Sequence, residues 1–227
     1  IPAPAYPDAL LLAMAITVQT LIDKSRSILQ DPTPGVRWSD AELWGWINDS
    51  YLAIIARRPD AHMTSAAFSC VQGSSEQALP VGALRLHAVT RNNESGDKSS
   101  IQLIQRGPFD LLHPNWRADL TTSTTGIQFY MYDPLVPLQF LVYPVPHATK
   151  SIYLTYCSVP TQHTSTSGNI SLTDNYAEPV LNYVLYRAFS KDAESQSNAT
   201  RAAAHFQLFE NTLAAGIKSD AATAPQV

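Results

Sequence analysis

Two cysteines, nine glycines and a charged fraction of only 15% set the first limits on this 227-residue chain. Cys70 and Cys157 form no CxxC pair, and one remote pair is not a disulfide framework, so two buried free thiols are expected. The glycines build neither GxGxxG nor a P-loop, which removes the usual backbone cradles for phosphate. No GxSxG elbow is present either. His62, His87, His113, His147, His163 and His205 are scattered without HxH, HxxxH or HExxH spacing, so no metal site is legible. Lys and Arg total 15 against 19 acids, a net charge of -4, and they do not cluster as in a nucleic-acid binder. The longest apolar run, Ala9 to Val18, is too short to cross a bilayer and lacks a basic flank, so it reads as helix. These absences exclude most metal, nucleotide and acyl-transfer chemistry, and no cofactor is expected.

Sparse charge also has a positive meaning: much of the surface must be neutral polar or apolar, as on a protein covered by neighbours. Length allows one large domain or two small ones.

Leu11, Leu12, Ala15, Val18, Ile22 and Leu29 recur at steps of three and four, which predicts a helix from about Asp8 to Gln30. Asp31-Pro-Thr-Pro-Gly35 stops it. Ser39-Asp-Ala-Glu42 is a capping box, in which Ser39 and Glu42 satisfy each other's amides. Behind it Leu43, Trp46, Ile47, Tyr51, Ile54 and Ile55 form one face, closed by Arg57-Arg58-Pro59.

From Ala61 to Thr173 the texture changes. Eight of the 16 prolines lie between Pro80 and Pro160. Ala83 to Thr90, Ile101 to Gln105, Ile127 to Tyr132, Gln139 to Tyr143 and Ser151 to Tyr156 read as strands with no helix between them. Helical periodicity returns in Val180, Leu181, Val184, Leu185 and Ala188, with Pro179 in the first turn. A last helix from Asn198 carries Ala202, Phe206, Phe209, Leu213 and Ile217. The expected fold class is α+β: a bundle of N- and C-terminal helices with an inserted antiparallel β-sandwich or barrel. The divisions are 1–60 helices, 61–173 β insertion, 174–217 helices packing on 1–60, and 218–227 a flexible tail.

Candidate acids do not form a pair with a task. Asp40, Glu42 and Asp49 suit a helix N-terminus and a solvated face, while Asp110, Asp119 and Asp133 suit turn closure. Trp116, Phe129, Tyr130, Tyr132, Phe140, Tyr143, Tyr153 and Tyr156 offer the alternative of a stacking platform, with Tyr130 and Tyr132 on one face. Aromatic residues are also what strands prefer in a core.

Several ordered blocks resemble the head-to-tail adaptor (connector) proteins of tailed bacteriophages. They are Trp38-Ser-Asp-Ala-Glu-Leu43 with Trp46-Ile-Asn-Asp49, Gln77-Ala-Leu-Pro80, Arg91-Asn92, and Asp110 through Trp116. Tyr132-Asp-Pro134, Pro137, Phe140 and Tyr143-Pro-Val-Pro146 continue the series, and Leu181 through Glu194 is the best match. Thr161 to Ser167 departs from the pattern as a polar insert. The resemblance implies a non-enzymatic virion protein of the neck, assembled in the host cytoplasm. Its partners would be about twelve copies of itself in a closed ring, the portal, and a tail or nozzle protein, with DNA passing through the lumen unbound and no membrane involved. A portal contact is expected at Lys218, Ala221, Ala222, Ala224 and Val227, with Ser39, Glu42, Trp46 and Trp116 as structural residues. The competing reading is a phage receptor- or carbohydrate-binding module using the β aromatics.

Overall fold

The computed structural model describes residues 15–121, 125–192 and 194–223, with backbone alone from 217 to 223. The fold is α+β. It divides into two compact units, residues 1–51 with 162–227 and residues 52–161, each built around its own core.

In the first unit α1 spans Val18–Leu29. It begins ten residues later than the expected Asp8, because Thr17 is extended and its hydroxyl caps the Thr20 amide at 3.1 Å. Residues 1–14, with Leu11 and Leu12 of the expected stripe, lie outside the described residues. Ile16 and Thr17 instead lie against Gly168, Asn169 and Ile170 through backbone hydrogen bonds. Helix α2, Asp40–Arg57, starts at the capping box. The Glu42 amide donates to Ser39 Oγ at 3.3 Å and the Ser39 amide donates back to Glu42 Oε2 at 3.2 Å. Leu43, Ile47, Tyr51, Ile54 and Ile55 are buried as the period requires, but Trp46 is only half-buried.

Helix α4, Ala177–Lys191, buries Val180, Val184, Leu185 and Ala188 and packs on α1 and α5. Helix α5 runs Gln196–Thr223. Over 218–223, the first part of the segment expected as a flexible tail, alanine-rich backbone continues the helix; Ala has the highest helix propensity, even without an apolar period. Residues 224–227 lie outside the described residues.

The second unit holds two sheets. One orders β1 (Met63–Ser69), β7 (Ser151–Ser158) and β3 (Ala83–Asn92); the other orders β2 (Glu76–Ala78), β6 (Gln139–Tyr143), β5 (Phe129–Tyr132) and β4 (Gln102–Leu103). All pairs are antiparallel except β4 with β5, which is parallel and departs from the all-antiparallel expectation. Leu86, Val89, Ile152, Leu154 and Tyr156 of the first sheet share one core with Tyr130, Phe140 and Val142 of the second. A short helix α3, Arg106–Leu112, lies between β4 and β5 where no helix was expected.

Candidate interaction surfaces

Several of the residues that carry the sequence signature are polar fasteners. Gln77 is fully buried, and its amide takes the Val71 amide at 2.7 Å while donating to Ser74 O at 2.7 Å, which closes the 71–74 turn. Asn92 is also fully buried; its Oδ1 accepts from Ile127 N at 2.9 Å and its Nδ2 donates to Ile127 O at 2.7 Å. Trp116 Nε1 donates to Asp110 Oδ1 at 2.6 Å across the C-terminal end of α3. That bond, followed by the Arg106 side chain, holds the Asp110 carboxyl below the usual carboxylate range. Tyr132 and Tyr143 close the pattern by donating from their hydroxyls to Pro137 O and Asp119 Oδ2. Of the three aspartates expected to close turns, Asp133 does so on its own turn, accepting the Leu135 amide at 2.9 Å.

The acids of α2 are not simply solvated. Asp40 meets Arg26, Glu42 meets Lys191, and Asp49 meets Arg187 at 3.5 Å. The hydrogen bond from Lys191, with the Ser39 amide behind it, holds Glu42 below its ordinary value. Three acids spent on three different cations leave no pair to share a proton.

One cluster has the side chains of a hydrolase but not their arrangement. Tyr51 Oη and Ser171 Oγ both address the same ring nitrogen, His163 Nε2, at 3.1 and 3.2 Å. Among the described residues no carboxylate bonds His163 Nδ1, so nothing orients the ring as a base. The cluster is a clamp instead. Asn48 receives the His163 amide and donates to its carbonyl, both at 2.8 Å, tying the polar 161–167 insert to α2. Burial pushes the His163 imidazole below its ordinary pKa and pushes Tyr51 up to about 12. Cys70 and Cys157 are buried free thiols, and burial raises Cys70 to about 12, out of reach as a nucleophile at neutral pH. No group of three metal-ligating side chains gathers among the described residues.

The aromatic residues expected as a ligand platform are largely occupied with one another. Trp116, Phe129 and Tyr143 meet around Phe109 at centroid distances of 5.0 to 6.2 Å. Tyr130, Phe140 and Tyr156 lie in the core.

What the second unit does present is aliphatic. The β5–β6 turn exposes Leu135 (89%), Val136 and Leu138, and α3 exposes Leu111 (84%) and Leu112 (77%). A groove of about 420 Å³ lies beside that turn, lined by Leu103, Ile104, Met131, Tyr132, Pro134 and Val136 among others. Sequence reading missed these residues because alone each leucine looks like core; the signal was Asp133-Pro-Leu-Val-Pro-Leu138, an apolar run inside a turn. Of the expected portal contacts, Ala224 and Val227 lie outside the described residues, and Lys218, Ala221 and Ala222 have helical backbone with side chains outside the description. Ser39 and Glu42 form the cap of α2, while Trp116 is buried at the foot of the second sheet. No described helix is long and apolar enough to cross a membrane.

A family model described as SU10 adaptor protein matches residues 16–227. No curated protein matches the chain.

Proposed function

We propose, since the chain belongs to the SU10 adaptor protein family, that it joins the portal to the tail as one subunit of a closed ring around the DNA path. The observation supporting this reading is the exposed aliphatic surface of the second unit, Leu111, Leu112, Leu135, Val136 and Leu138. Apolar clusters left exposed like these, one on the β5–β6 turn and one on α3, suit cover by a partner. An adaptor has partners on two sides, and this unit would carry the tail-facing one. The C-terminal end of α5 with residues 224–227 would carry the portal contact, since a narrow terminal segment fits a groove between subunits already in place. A net charge of -4 per copy makes the assembled ring strongly acidic, which keeps passing DNA from adhering.

The role needs no catalysis: the acids of α2 are ion-paired, the thiols are buried, and neither Ser–His contact, Ser171 with His163 or Ser158 with His62, has a carboxylate on the ring's other nitrogen among the described residues. A receptor- or carbohydrate-binding role would need solvent-facing rings, and most of the aromatic residues available for it lie in the core or pack on one another. The test is co-sedimentation of the purified chain with DNA-filled, tailless heads that bear a portal. Full-length protein is expected to pellet with the heads at ring stoichiometry, and a chain lacking 218–227 is expected to stay in the supernatant, its circular dichroism reduced only by the helical residues 218–223 that were removed. Full occupancy by the truncated chain removes the terminal segment as anchor, and failure of both forms to bind removes the portal reading itself.

A further inference from the structure

The second unit has four sheet edges, and three of them are blunted. Strands β2 and β4 are three and two residues long, too short to template another chain. Strand β3 is broken by register shifts at Ala83/Arg85, Leu86/Ala88 and Val89/Arg91, and its far end is covered by Ser99 and Ile101. Bulges and charges of this kind are how proteins keep an edge from pairing.

Strand β1 has none of these devices. It pairs with β7 without a shift over seven residues, Met63↔Cys157 through Ser69↔Ser151. Met-Thr-Ser-Ala-Ala-Phe-Ser contains no charge and no proline. The flanking bonds fix its hydrogen-bonding phase: Ser158 N donates to His62 O and Cys70 N donates to Lys150 O. Pairs 62↔158 and 70↔150 are therefore hydrogen-bonded, and in an antiparallel ladder every second pair follows. Thr64, Ala66 and Phe68 turn their amides to β7; Met63, Ser65, Ala67 and Ser69 turn theirs outward. Of the outward groups only Ser65 O has a partner among the described residues, the Tyr153 hydroxyl at 3.4 Å. The edge is also open, since the same four residues are exposed.

We infer that β1 pairs antiparallel with β1 of a second copy, joining two three-stranded sheets into one of six strands. A row of outward amides repeating every ~6.8 Å is satisfied as a set only by another extended strand. The second copy fits because the edge is self-complementary. With Met63 opposite Ser69 and Ser65 opposite Ala67, every outward donor meets an outward acceptor and none is left over. The two-fold axis passes between the two Ala66 residues at a non-hydrogen-bonded position, where backbones approach to about 4.5 Å and small side chains are needed. An uncharged strand places no like charges across such an axis, whereas a charged one would oppose itself. The contact is isologous and closes at two copies. It concerns the chain before it meets a portal and does not rest on the adaptor reading. A subunit entering a ring would leave this pair first, and until then the edge is kept from pairing at random.

Sedimentation equilibrium of the full chain from about 1 to 100 µM tests it. Wild type is expected to follow a monomer–dimer equilibrium. Ser65→Lys/Ala67→Lys and Ser65→Glu/Ala67→Glu change exposed side chains and remove one surface hydrogen bond, Ser65 Oγ with Thr155 Oγ1, so each is expected to stay folded with at most a small drop in melting temperature and to sediment as a monomer. Mixed in equal amounts, the two are expected to recover the dimer, because each Lys then faces a Glu. Ala67→Pro removes one outward amide that β7 does not use, and is expected to weaken pairing at least about tenfold. A wild-type monomer throughout the range, an assembly that survives both charge variants, or a mixture that stays monomeric overturns the inference.

Discussion

Asn92 shows how a single polar side chain holds the second unit together. Its amide satisfies both the N–H and the C=O of Ile127, and Gly126 beside it leaves no room for a side chain, since an added Cβ would stand 2.8 Å from Asn92 Cγ. Asn92→Ala leaves two buried backbone groups without partners and is expected to cost about 2 kcal/mol or more, read as a shift in urea midpoint at unchanged m-value. An unshifted midpoint would mean that water replaces the amide freely. Asp31 works similarly in the first unit, accepting from the amides of Val36, Arg37 and Trp38 while Arg26 lies against it. Burial opposes its charge, but those amides and Arg26 outweigh burial and hold the carboxyl below its ordinary value. Gly35 belongs to the same turn: its φ is +78° and a Cβ there would lie 2.0 Å from Arg26 Nη1. A sequence names such residues without their partners; Asn92 and Ile127 are brought together only by the fold.

Helix α2 separates what periodicity shows at the scale of an element from what it does not. The cap at Ser39 was legible because both partners lie within one turn, and Ser39→Ala is expected to cost about 1 kcal/mol. The apolar stripe was legible as well, but its width was not. Trp46 sits at the stripe's margin and is half-buried, whereas Ile47 is fully buried. Ile47→Ala is accordingly expected to cost about 2–5 kcal/mol and Trp46→Ala less than that, by thermal melts of the two variants. A larger loss at Trp46 would place the core on the other side of the helix. Strands β1 and β2 escaped sequence reading for a related reason. Strand β1 is mostly serine, threonine and alanine and β2 is only Glu-Gln-Ala, so neither has the aliphatic and aromatic run that marks a central strand such as Ser151–Ser158, and pairing with β7 or β6 supplies what composition does not. Helix α3 escaped because Gly107 and Pro108 read as a turn, although proline is tolerated in a first turn.

For the whole molecule, stability should fall toward acid pH in two stages. His163 and His205 are depressed by burial, His205 less than burial alone would make it because Glu178 is nearby. In the unfolded chain both titrate near 6.5, so well above that value these two groups bind equal protons in both states and leave stability level. Below it the unfolded chain takes up protons first, and stability falls until the depressed folded values are passed. A second decline comes from carboxylates held low by their partners. Glu42 is held by Lys191 and Asp60 by Arg58, and their contributions are lost as pH drops from the ordinary 4.5 and 3.8 through the folded values. Melting temperature is thus expected to be flat between about pH 7 and 8, and to fall first below 6.5 and again in the acid range. It is also expected to fall on the alkaline side above about pH 9, where the buried Cys70 and Cys157 keep protons that the unfolded thiols lose. His163→Gln/His205→Gln should remove the first fall and leave the second; persistence of both falls in the double variant would assign the first to other groups.

The sequence by itself determined the class of protein and the local starts and stops. A capping box, a stripe at helical spacing and a block of aromatic and β-branched runs each depend on neighbours within a few residues, and all three are present in the fold. The ordered signature from Trp38 to Glu194 also pointed to the adaptor family, because the hydrogen-bonding fasteners Asn48, Gln77, Asn92, Asp110 and Trp116, three of them buried, are specific in type and order. Only the tertiary structure decided which surfaces are left over. Whether Leu135 is core or exposed, whether β1 is central or an edge, and whether His163 is a base or a clamp depends on residues tens of positions away. Those contacts are set by chain topology, which short-range periodicity does not encode.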